Sequence, residues 1–143
     1  MNRIAIVYWS GSGNTGKMAG CIAEGVREAG GEAELLAPSD FSIAKLGSYA
    51  AVAFGCPAMG SEELEEVEFE PMFADLEGSL SGKNIALFGS YGWGDGQWMR
   101  DWCARCEKAN ANLFDESGLT VNEAPDTAGE EACRELGRGL AKW

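Results

Sequence analysis

A chain of 143 residues and 15.2 kDa, 45% of them hydrophobic, has material for one real core, so a single domain spanning 1–143 is expected. Its 23 acidic residues against 11 basic ones leave a net charge of -12 and a pI near 4.3, which argues against nucleic acid or an anionic membrane as partner and for a basic one. No apolar run approaches the roughly 20 residues of a membrane span, and no basic-then-apolar leader opens the chain, so a cytoplasmic protein is expected.

Taken in order, Ile4 to Trp9 reads as a buried strand, followed by a loop and then a helix in which Met18, Ile22, Val26 and Ala29 recur at helical spacing and stop at Gly30-Gly31. Apolar runs at Ala33 to Leu36 and Tyr49 to Gly55 read as the second and third strands. A helical segment with Met72, Phe73 and Leu76 precedes a fourth strand, Ile85 to Ser90. Gln97 to Ala111 is the next helix, Leu113 to Val121 a ragged fifth strand, and Thr127 with Glu130 stands in capping-box spacing before Cys133, Leu136 and Leu140 on one helical face. Strand and helix alternate five times, which predicts an α/β fold with a doubly wound, five-stranded parallel sheet covered on both faces.

Ligands of such sheets sit beyond the carboxyl ends of the strands, where strand order reverses. The loops after strands one, three and four are therefore the candidate site. The first, Tyr8-Trp9-Ser10-Gly11-Ser12-Gly13-Asn14-Thr15, joins a strand to a helix through hydroxyls and glycines. Glycines let the backbone approach an anion, the helix start aims N–H groups at it, and Ser10, Ser12 and Thr15 each offer another donor. The loop also satisfies G-x-G-x-x-G with Gly11, Gly13 and Gly16, and most of the triphosphate-binding pattern with Gly16-Lys17. Met18 stands where the latter needs a magnesium-binding hydroxyl, and no later strand ends in the second acid. Glu34 lies near the spacing of a ribose-binding acid, but Leu35, Leu36 and Ala37 still follow it in the strand. A terminal monophosphate suits the hydroxyls best.

The second loop, Cys56-Pro57-Ala58-Met59-Gly60-Ser61-Glu62, carries a thioether, a flexible glycine and an acceptor. The third, Ser90-Tyr91-Gly92-Trp93-Gly94-Asp95-Gly96, sets two aromatic faces on a glycine-loosened backbone. Together they outline a flat heterocycle on a phosphorylated polyol, the shape of FMN. The pair Cys103 and Cys106 falls mid-helix rather than at a helix start, so one buried and one half-exposed thiol are expected there, not a redox dithiol. Five cysteines, an odd number, fit a reducing compartment, and with no histidine and no second cysteine pair a zinc site is not supported.

These loops, with Gly55-Cys56-Pro57-Ala58-Met59-Gly60-Ser61-Glu62-Glu63-Leu64-Glu65 and Leu87-Phe88-Gly89-Ser90-Tyr91-Gly92-Trp93-Gly94, resemble the flavodoxins, and closely the short-chain flavodoxins of anaerobic bacteria; the resemblance runs from Arg3 to about Lys142. It implies strand order 2-1-3-4-5, which is the flavodoxin order and does not come from the periodicity. The cofactor-binding set it implies is Ser10, Gly11, Ser12, Gly13, Asn14 and Thr15; Pro57, Ala58, Met59, Gly60, Ser61 and Glu62; and Ser90, Tyr91, Gly92, Trp93, Gly94, Asp95 and Trp98. In that reading Ser10, Ser12, Asn14 and Thr15 hold the FMN phosphate, Met59 and Trp93 flank the ring, Glu62 accepts from flavin N3–H, and the Gly60 peptide turns over on one-electron reduction. The implied protein is a monomeric low-potential carrier, not an enzyme, cycling between semiquinone and hydroquinone and serving basic-surfaced redox enzymes. Neither ring-side loop contains a lysine or arginine, and Glu62, Glu63, Glu65, Glu66, Glu68 and Glu70 follow, a setting that disfavours an anionic reduced ring.

Overall fold

The computed structural model describes residues 2–143. Its strands are β1 (Arg3–Tyr8), β2 (Glu32–Leu36), β3 (Ala51–Gly55), β4 (Asn84–Tyr91), β5 (Asn112–Leu113) and β6 (Leu119–Asn122). The helices are α1 (Asn14–Glu28), α2 (Ile43–Leu46), α3 (Phe69–Glu77), α4 (Gln97–Lys108) and α5 (Thr127–Lys142). All pairings are parallel, in the order β2-β1-β3-β4-β5, with β6 also paired to β4.

Alternate strand residues feed two separate cores, because successive side chains point to opposite faces. Ile4, Ile6, Ala51, Ala53, Ala86 and Phe88 pack with α1 and α5, whereas Ala5, Val7, Val52, Phe54, Ile85 and Leu87 pack with α3 and α4. Alanines dominate the first set, and glycines let the helices above it close on each other. A Cβ on Gly25 would run into the carbonyl of Arg134, and one on Gly137 into that of Ile22. The other face is aromatic: Phe69 and Phe73 meet Trp102 edge-on, with centroids 5.4 and 5.7 Å apart. Arg105 ties α4 to α3 there, donating to Glu70 at 2.7 and 2.9 Å and to Glu77 at 2.8 and 3.0 Å.

Helix α1 ends as Gly30-Gly31 predicts. Gly30, at φ 88°, donates to the Arg27 carbonyl, and Gly31 donates to that of Val26, so two orphan carbonyls are satisfied. Asn110, at φ 62°, closes α4 in the same way.

The fifth strand is divided. β5 pairs Leu113 with Ile85, β6 resumes with Leu119 opposite Phe88, and the chain leaves the edge between them. The Asp115 carboxylate takes the Ser117 N–H at 3.0 Å and its hydroxyl at 2.9 Å, a local alternative to the ladder. Gly118 turns the chain back at φ 71° over the Met99 thioether. The cap of α5 also differs from expectation: Asp126, not Thr127, accepts from the Gly129 N–H, at 2.7 Å. The β2-to-β3 crossover, silent in the periodicity, carries a 3-10 turn at Pro38–Asp40 and the single-turn α2. β3 begins at Ala51, two residues after the apolar run does. Both Cys103 and Cys106 are buried, against the expected half-exposed thiol, because α4 turns that side into the core cluster it shares with α3 and the sheet.

Candidate functional site

The carboxyl ends of β1, β3, β4 and β6 open into one cleft of about 480 Å³. Trp9, Gly11, Ser12 and Asn14 line it from the first loop, Pro57, Ala58 and Met59 from the second, and Ser90, Tyr91, Gly92 and Trp93 from the third. Glu123 and Ala124, after β6, complete it.

At one end the backbone is arranged for an anion. Gly13 takes the left-handed conformation, φ 99°, that starts α1, and no acid occupies that helix's first turn. The Ser10 hydroxyl accepts from the Gly16 N–H at 3.0 Å, while the N–H groups of Ser12, Gly13, Asn14 and Thr15 meet no acceptor among the described residues. Thr15 is 1% exposed; its hydroxyl oxygen accepts from the Ser90 N–H at 3.3 Å, leaving its single hydrogen to donate elsewhere. Several free N–H groups at a helix start, without a competing carboxylate, match a phosphate dianion.

The second loop is a tight reversal. Met59 and Glu63 exchange backbone hydrogen bonds of 2.8 Å across Gly60, Ser61 and Glu62, with Gly60 at φ 50° and Glu62 at φ 58°. A Cβ on Gly60 would meet nothing within 4 Å, so glycine is there for backbone freedom and not for room. Glu65 anchors the loop's far side: 6% exposed, its carboxylate accepts from the N–H groups of Val67, Glu68 and Phe69, each at 2.8 Å. Burial would raise its pKa, but the three N–H donors outweigh burial and hold it below the usual range. Beneath the loop, the Cys56 sulfur accepts from the Glu65 N–H at 3.3 Å, and burial pushes that thiol up to about 12.

In the third loop, Trp93 stands 59% exposed and Tyr91 leans on Trp98 with centroids 5.6 Å apart. Gly94 and Gly96 have φ of 80° and 92°. Glu62 crosses to this loop, its carboxylate filling the space a Cβ on Gly94 would need and accepting from the Asp95 N–H at 3.2 Å. Trp98, expected among the cofactor-binding residues, does not line the cleft: it is 2% exposed, and its indole N–H donates to the Cys56 carbonyl at 3.1 Å, supporting the second loop from below. The first turn of α4 points it inward.

Sequence reasoning missed Trp9, Glu123 and Ala124 among the lining residues. The loop after the last strand lies at the same sheet edge as the others, so the alternation itself held that signal. Ser90 and Tyr91 fasten it: the Ser90 hydroxyl donates to the Glu123 carbonyl at 2.6 Å, and the Glu123 N–H donates to that of Tyr91 at 2.7 Å. Arg100 was missed too; it reaches back from α4 to Asp95.

The flavodoxin family model matches residues 6–137. The chain belongs to the flavodoxin family. It is 47% identical to a flavodoxin of Megasphaera elsdenii over 139 residues, covering 97% of this chain and 98% of that one. To a flavodoxin of Clostridium beijerinckii it is 47% identical over 136 residues, 95% and 97% of the two chains. The solution structure of two-electron reduced Megasphaera elsdenii flavodoxin superposes with a TM-score of 0.87 at 45% identity, covering 98% of this chain and 99% of that one. Flavodoxins are FMN-binding electron carriers and not enzymes, and this flavodoxin is an electron-transfer flavoprotein. The donor set at the start of α1 and the apolar, aromatic far end of the cleft both fit FMN. No helix among the described residues is long and apolar enough to cross a membrane.

Proposed function

We propose that this flavodoxin, working as a single 1–143 domain and a monomer in the cytoplasm, holds FMN with its phosphate at the start of α1 and its ring between Met59 and Trp93. Ser10, Ser12, Asn14, Thr15 and the neighbouring N–H groups hold the phosphate. Gly11, Gly13, Pro57, Ala58, Ser61, Ser90, Tyr91, Gly92, Gly94 and Asp95 shape the walls, and Glu62 accepts from the ring's N3–H. Bound FMN supplies the redox chemistry, taking up and releasing electrons one at a time. The observation that carries this reading is the single cleft with free anion donors at one end and a thioether and an indole at the other.

The protein's own contribution is to set the potential. Negative charge added to a ring between apolar walls, near carboxylates, is disfavoured, which lowers the potential of the second electron. Gly60 has the backbone freedom to turn its peptide over, and its carbonyl would then be available to accept from a protonated ring nitrogen of bound FMN. The carrier would thus work between its one-electron- and two-electron-reduced states. Of the acidic run, Glu65 and Glu70 are engaged internally, while Glu63, Glu66 and Glu68 stay exposed near the second loop and draw in basic redox enzymes. Five buried, unpaired thiols fit a reducing cytoplasm.

Titrating the cofactor-stripped chain with FMN and with riboflavin tests the reading. FMN fluorescence should be quenched at one equivalent, with riboflavin about a hundredfold weaker for want of the charge-assisted phosphate bonds. Equal affinity for the two would remove the phosphate site, and no binding of either would end the proposal.

A further inference from the structure

The Trp93 loop has little to hold it. Gly92, Gly94 and Gly96 give it conformational freedom, and from Gly92 to Asp95 its hydrogen bonds to the rest of the described residues are those made through Asp95. On one side the Asp95 N–H donates to Glu62 in the second loop at 3.2 Å. On the other, the Arg100 guanidinium donates to the Asp95 carbonyl at 3.1 Å and its carboxylate at 2.9 Å, and to Gln97 Oε1 at 2.8 Å. Gln97 is held in turn by Asp101, at 2.8 Å. One planar fork therefore fixes both the main chain and the side chain of Asp95, which a single ammonium cannot do.

We propose that Arg100 is a positioning residue for the ring site: by gripping Asp95 it aims the N–H that holds Glu62, and so sets the spacing between the Met59 and Trp93 walls. This rests on the reading that the ring lies between those walls. Arg100 is 54% exposed and Asp95 79%, so as a surface ion pair the contact adds little to global stability. Its effect is local. Without it the glycine-rich loop samples other conformations, and cofactor binding must order the loop afresh.

The test compares the wild type with R100A, R100K, E62A and the R100A/E62A double variant, measuring FMN affinity by fluorescence quenching and exchange of the Asp95 amide in the cofactor-free chain. R100A is expected to weaken FMN about tenfold and speed Asp95 exchange by a similar factor, with an unchanged urea midpoint. R100K recovers part of the affinity. In the E62A background, which lacks the acceptor for the Asp95 N–H, removing Arg100 costs less than about threefold, since the two act through one contact. R100A binding within about twofold of wild type, or losses in R100A and E62A that multiply in full, would overturn the positioning role while leaving the FMN site standing. A wild type that ignores FMN overturns both.

Discussion

The contact between α1 and α5 and the rim of the cleft both depend on glycine, for opposite reasons. At Gly25 and Gly137 a side chain has nowhere to go, because the facing helix carbonyl already occupies its place. Around Gly13, Gly60 and Gly92 a Cβ would touch nothing within 4 Å, and what glycine supplies is a choice of backbone conformations. In the first region the residue serves proximity and hence stability; in the second it serves backbone freedom at the rim of the cleft, on which the redox role proposed for Gly60 rests. On that proposal, stability and potential are written into different parts of the chain.

The strongest way to break that division is Gly137→Ala. Forcing a methyl group against a helix carbonyl should destabilise the protein by about 3 kcal/mol or more, read as a lower urea midpoint, with FMN affinity of the folded fraction near wild type. A cofactor-affinity loss as large as the stability loss would mean the two regions are coupled.

Glu65→Gln sharpens the comparison, because Glu65 gives one wall of the cleft a rigid anchor. Losing the charge that accepts three N–H groups should cost about 2 kcal/mol at pH 7. The sign with pH follows from its lowered pKa: the contribution is complete above the ordinary value of 4.5 and is lost as pH falls below it, through the depressed value. Urea titrations of wild type and variant should therefore converge in acid, and a constant gap would assign the effect to packing.

Gly60→Val should cost about 1 kcal/mol in stability, the strain of a branched side chain at positive φ. Its larger signature is electrochemical: the two one-electron potentials should approach each other by about 60 mV or more, the equivalent of a tenfold change in relative affinity. An unchanged separation would remove Gly60 from the redox role. Smallest in stability is the triple change of Glu63, Glu66 and Glu68 to glutamine, expected within about 0.5 kcal/mol of wild type. Reduction of a basic partner enzyme should then lose most of its dependence on ionic strength, measured by stopped flow. Retained salt dependence would move the steering charge elsewhere.

Much of the fold was legible because each buried strand is an uninterrupted apolar run and α1 carries its own stop signal at Gly30-Gly31. The three loops were legible because donors, aromatics and glycines stand together in short segments. What stayed hidden depends on long-range geometry. Trp98 reads as part of an aromatic loop, yet its indole finds the Cys56 carbonyl 42 residues away. Glu65 reads as one more surface acid until the three N–H groups of the following turn fold onto it. The break in the fifth strand arises from Asp115 and Ser117 bonding to each other, which apolar periodicity does not register. Arg100 lies outside every loop that drew attention, and its role appears only once α4 points it backwards.

The placement of the sulfurs bears on how such a carrier behaves in air. All five lie under the surface, and burial pushes Cys56, Cys106 and Cys133 up to about 12 and Cys103 to about 11. Thiolates, the form that oxidants attack, are scarce at neutral pH. Neighbouring copies thus have no exposed thiol with which to cross-link, and the chain resists oxidation at its own sulfurs.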